Sequence, residues 1–109
     1  MLVRVGPLPE QALEASAAFY ADWLPRIVAS LAEGDDVVLA FEPADHAHRG
    51  WRLAAVQGLA REYAPKRINA VASVDDTAIT AAESYLAGAP GVSGQYWALD
   101  GSGAGSAIG

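Results

Sequence analysis

Four side chains capable of acid–base or metal chemistry stand close together in one stretch of the chain: Glu42, Asp45, His46 and His48. Carboxylate oxygens and imidazole nitrogens are donors that a divalent metal accepts, and imidazole also exchanges protons near neutral pH. Asp and His at the start of a helix are equally the residues of ordinary capping and of a solvated first turn. Both readings stay open on the residues alone. Arg49 and Arg52 follow closely and offer an anion a place beside the same turn.

The elements around this cluster decide where it stands. DVVLAF (36–41) is a continuous apolar run with β-branched residues, the pattern of a strand buried on both faces in a parallel sheet. EPAD then makes a turn with Asp45 as N-cap, and a helix is expected from about His46 to Ala64, stopped by Pro65. Leu53, Val56, Ala60 and Tyr63 lie on one side of that helix and Trp51, Ala55 and Leu59 on another, so burial on two sides is expected. The cluster therefore falls just past the C-terminal end of a parallel strand, where α/β sheets bind ligands.

Upstream, MLVRVG reads as a short strand closed by Gly6, with Pro7 and Pro9 turning the chain into a helix. From Glu10 to Glu33, Leu13, Ala17, Tyr20, Leu24, Ile27 and Leu31 recur at helical spacing. Pro25 predicts a kink near Trp23 and Leu24, and Gly34 ends the helix. Downstream, RINAVA (67–72) is a third strand, Asp75 and Asp76 open a helix through Leu86, and SGQYWAL (93–99) is a fourth strand. Strands alternating with helices give an α/β domain over residues 1–100 with a mainly parallel four-stranded sheet and about three helices. GSGAGSAIG (101–109) reads as a flexible Gly/Ser-rich tail.

A length of 109 residues with 52% hydrophobic and 18% charged content matches one domain with a buried core. The absence of cysteine excludes a disulfide scaffold and a thiolate zinc site and fits a reducing, cytoplasmic setting. A formal charge of -6 and a pI near 4.6 disfavour nucleic acid and anionic membranes as partners. No apolar run approaches a membrane span, and no signal peptide is expected. Trp23, Trp51, Tyr96 and Trp97 are core residues or interface anchors.

LAREYAPKRINAVA (59–72) and, after it, GQYWALDG (94–101) resemble the C-terminal half of short-chain dehydrogenases/reductases. Members of that family run from a helix ending in "LA-x-E" into "NaVaPG" and finish with "tGq…vDGG". LVRVG and the Leu24-Pro25 helix are similar to the strand and helix that precede these segments, which extends the resemblance over nearly the whole chain. It implies the last four strands of a Rossmann-type sheet, in a three-layer Rossmann-like fold. It also implies an NAD(P)-dependent oxidoreductase with a Gly-rich cofactor turn, a Ser, and a Tyr-x-x-x-Lys pair.

Against that pattern this sequence is degenerate. Asp45 stands at the Tyr position and Arg49 at the Lys position, and no Ser lies between Val37 and Gly50. A carboxylate cannot act as a phenolic acid. "PG" is replaced by Ser73-Val74, and the resemblance aligns the first strand with one that follows the family's cofactor turn. No cofactor is expected for the isolated chain, and it is not expected to be an enzyme on its own.

In the resemblance, helices and the last strand form oligomer contacts. Tyr20, Trp23, Trp51, Leu59, Tyr96 and Trp97 are the interface candidates here. The first strand is expected to be an open edge, and one sheet face partly bare. The expectation is a homo-oligomer or an accessory subunit of a full-length reductase. The alternatives are an oxidoreductase whose site is completed by another chain and a small-ligand binding module.

Overall fold

The computed structural model describes residues 1–99 and the backbone of Ser106–Ala107. β1 (Leu2–Arg4) leads through the Pro7/Pro9 segment into α1 (Ala12–Ala18), one wide π turn (Phe19–Trp23) and α2 (Leu24–Ala32). Pro25 sits in the first turn of α2 and has no N–H to donate, so the helix preceding it opens rather than continuing at α pitch. The expected kink is thus a widened turn.

That turn also changes which face is buried. Phe19 and Ile27 are eight residues apart, roughly 80° out of register at 3.6 residues per turn; the π turn takes up the difference. Ala15, Phe19, Ile27 and Leu31 are wholly buried. Leu13 and Tyr20, expected on the core face, are instead 87% and 43% exposed. Gly34, at φ 103°, ends the helical segment in a conformation that side chains with a Cβ avoid.

β2 (Val37–Phe41) and β3 (Ile68–Ala72) are buried at every position, as expected of central parallel strands. Between them lie a 3₁₀ turn (His46–His48) and α3 (Arg49–Glu62). α4 (Asp76–Ala87) joins β3 to β4 (Tyr96–Ala98), and β5 (Ser106–Ala107) completes the order β1-β2-β3-β4-β5. β1 to β4 are parallel, with Leu2 beside Val38, Val37 beside Ile68 and Ala70 beside Tyr96. β5 runs antiparallel to β4, a strand within the stretch expected to be a flexible tail. Residues 101–105 and 108–109 of that expectation lie outside the described residues.

Strand alternation divides the core into two. Val37, Leu39, Phe41, Ile68, Ala70, Ala72 and Tyr96 face the layer of α1, α2 and α3. Val38, Ala40 and Val71 face Ile79, Ala82 and Leu86 of α4. These are the three layers of a Rossmann-like α/β arrangement. Each connection steps to the next strand in the same direction, yet α4 lies on the opposite face from α1–α3, so the last crossover has the opposite hand to the first two.

The partly bare sheet face expected from the sequence is not found over β2 and β3. Val38 and Ala40 are 8% and 5% exposed, because the small residues on that face let a single helix, with Val92, Trp97 and Leu99 packed beside it, cover them. The open edge is present: β1 pairs only with β2 among the described residues.

Two polar residues lock the strand ends. Asn69, 2% exposed, donates from Nδ2 to the Val92 carbonyl (3.0 Å) and accepts at Oδ1 from the Gln95 amide (3.1 Å), which ties β3 to the approach to β4. Arg67 pairs with Asp36 (3.0 Å) and donates to the carbonyls of Leu86 and Ala89, which fastens the end of α4 to the starts of β2 and β3.

Candidate functional site

The C-terminal ends of β1 and β2 open into a cleft of about 380 Å³ between the Gly6–Glu10 segment and the start of α3. Phe41 and Glu42 come from the end of β2, Asp45 and His48 from the turn before α3, and Arg52 from its first turn. Leu8 and Pro9 form the facing wall. This is the ligand-binding end of an open parallel sheet.

Local chemistry fixes each side chain. Asp45 Oδ1 accepts the Ala47 amide (3.0 Å), the N-cap role read from the sequence. His48 is turned inward and is 6% exposed. The Trp51 indole can only donate, so its Nε1 bond to His48 Nδ1 (3.1 Å) makes that nitrogen the acceptor. The proton is then on Nε2, which donates to the Glu10 carbonyl (2.8 Å). His48 is thereby a neutral imidazole with both nitrogens engaged, pinning α3 to the Pro7–Glu10 segment.

The metal reading of Glu42, Asp45, His46 and His48 finds no geometry here. Among the described residues no group of three or more His, Asp or Glu side chains comes together to hold an ion. Glu42, Asp45 and His46 are exposed, whereas His48 is buried with its ring nitrogens held by Glu10 and Trp51. The fold separates by direction what the sequence places together.

Arg52 is the residue whose setting the sequence reading missed. It is 4% exposed, donates from Nη1 to Tyr96 Oη (3.0 Å), and lays its guanidinium over the Phe41 ring, 4.5 Å from the centroid. Trp51 and Tyr96 rings stand at 5.7 and 6.0 Å. Its Nε is buried with no acceptor. The signal was available: Arg52 precedes Ala55, Val56 and Leu59 at helical spacing, which places it on the buried stripe.

The interface candidates divide. Leu59 (5% exposed) and Tyr96 (4%) are core residues, and Trp51 packs on Phe19 and Phe41 with ring centroids 5.4 and 5.7 Å away. α3 lies against the sheet and takes Trp51 and Leu59 with it, while Tyr96 is buried on β4. Tyr20 is exposed; Trp23 is half-buried beneath the Arg26 guanidinium at 4.7 Å, and Trp97 is half-buried beside Tyr85.

The nicotinamide dinucleotide implied by the resemblance does not fit the described residues. Its pyrophosphate needs a glycine turn whose amides open a helix directly after a strand. Gly6 follows β1, but Pro7 and Pro9 have no N–H, and α1 begins only at Ala12. The entrance to α3 carries Glu42 and Asp45, which repel phosphate. At the positions matching Tyr and Lys stand Asp45, engaged as a cap, and a half-buried Arg49.

Among the described residues no helix is long and apolar enough to cross a membrane. No curated protein and no solved structure matches the chain. A family model described as "Short chain dehydrogenase-like protein" matches residues 3–99. With that match spanning β1 to the end of β4 in a Rossmann-like sheet, the chain belongs to the short chain dehydrogenase-like family.

Proposed function

We propose that this chain is a non-catalytic member of its family that acts by association, as a homo-oligomer or as an accessory subunit of a full-length reductase. The observation that carries the reading is the pairing of an acid position occupied by a capping carboxylate, Asp45, with an unblocked sheet edge at β1. The first removes the proton donor that carbonyl reduction needs. The second offers backbone groups that meet no further strand among the described residues, with neither Pro nor Lys in Leu2–Arg4 to blunt it.

Native mass measurement of the purified chain, alone and after co-expression with a full-length reductase, tests association. An assembly is expected in one of the two; a monomer in both ends the proposal. Titration with NADH or NADPH tests the other half. No binding by the chain alone is expected, and micromolar binding would overturn the non-catalytic reading.

A further inference from the structure

The Arg52 guanidinium lines the cleft at the C-terminal edge of the sheet while being almost wholly removed from water. Neither the Arg4–Asp76 nor the Arg67–Asp36 ion pair involves Arg52, and among the described residues no carboxylate stands within 4.0 Å of this buried cation. A buried charge is ordinarily paired, because desolvation penalises it strongly. The Phe41 face and the Tyr96 hydroxyl meet part of that need, and Nε is left without an acceptor. A planar guanidinium held in this way matches a carboxylate, which it can take through two parallel N–H bonds.

The rest of the cleft narrows the ligand further. Glu10, Glu42 and Asp45 line it from exposed positions, and Leu8, Pro9 and Phe41 give it apolar wall. His48, a neutral imidazole, adds no positive charge. Three carboxylates around one guanidinium leave the cleft net negative, which opposes phosphate or any polyanion. A molecule with no net charge, one carboxylate and a nearby ammonium meets no such opposition. The volume of about 380 Å³ is at the small end of ligand pockets.

We propose that this cleft binds a small zwitterion of the amino-acid class, its carboxylate on Arg52 and its ammonium toward Glu42 and Asp45, with an apolar side chain against Leu8 and Phe41. This goes beyond the association reading and does not rest on it, since the binding is measured whatever the oligomeric state.

The test follows the Arg52 Nε–H resonance in nitrogen-edited proton spectra of the full chain. The probes are L-leucine, isocaproate, which lacks the amine, isoamylamine, which lacks the carboxylate, and inorganic phosphate. L-leucine at millimolar concentration is expected to shift the resonance, with isocaproate roughly tenfold weaker, the size of one charge-assisted contact. Isoamylamine and phosphate are expected to leave it in place.

Because Arg52 is buried, Arg52→Met risks the fold. The double variant Glu42→Gln with Asp45→Asn alters exposed groups and keeps a capping side chain, and it should lower L-leucine binding to the isocaproate level. The proposal is overturned if L-leucine causes no shift, if phosphate binds as tightly as L-leucine, or if the double variant binds L-leucine unchanged.

Discussion

Phe41 is the single side chain on which most of the site converges: it packs on Phe19, Trp51 and Tyr96 and carries the Arg52 guanidinium on its face. Phe41→Ala should cost about 3–5 kcal/mol, read as a lower urea midpoint, through lost burial and the cavity left beneath Arg52. At the opposite end of the sheet, the Arg67 backbone amide holds the Asp36 carboxyl below its ordinary value of 3.8, opposed by desolvation and reinforced by the Arg67 guanidinium and the chain's amino terminus. A carboxyl with a depressed folded-state pKa stabilises fully above its unfolded value and loses that effect as pH falls toward the folded one. Asp36→Asn should therefore lower thermal stability at neutral pH, and the gap from the parent should close as pH falls below 3.8. A gap that persists unchanged in acid would show that the charge is not what Asp36 contributes.

Among the elements, the α1–α2 segment depends on its two punctuation points. Gly34 adopts φ 103° with nothing near its missing Cβ, so backbone conformation alone limits substitution there. Gly34→Ala should cost about 1–2 kcal/mol in chemical denaturation without altering the helical circular dichroism. α3 does two tasks: its Trp51, Val56 and Leu59 close the core, and its first turn, with the 3₁₀ turn before it, presents Arg52, Asp45 and His48 to the cleft. Burial of the first set is what aims the second.

At the scale of the whole molecule, association turns on the β1 edge. Val5 donates to the Ala40 carbonyl and Val38 to the Met1 carbonyl, so by strand alternation the amides of Leu2 and Arg4 face away from β2. Arg4→Pro thus removes an outward donor and leaves the internal ladder whole. It also breaks the Arg4–Asp76 pair, whose side chains are 54% and 80% exposed and contribute little. Assembly by strand addition should be lost in native mass spectra while the melting temperature of the chain changes little; an assembly that survives this substitution uses another surface. Coverage of both faces of β2 and β3 within one chain removes the apolar patch as a reason for association and leaves the edge as the physical argument.

The order of strands and helices, the parallel sheet, the Asp45 cap, the helix opening at Asp75 and Asp76 and the stop at Gly34 were legible in the sequence, because each rests on local chemistry: unbroken apolar runs, a side-chain acceptor for free amides, a residue without Cβ. The family motifs were legible for the same reason, as in Asn69, whose side chain bonds the backbone around it. What tertiary structure alone decided concerns direction. The π turn before Pro25 turned Leu13 outward and Phe19 inward, and α4 chose the face that kept Val38 and Ala40 dry. The same packing buried His48 against Glu10 and Trp51 while His46 stayed exposed, and it put Arg52 beside the cleft. Spacing along a chain sets which residues share an element; only the packing of that element against its neighbours sets which of them meet a ligand.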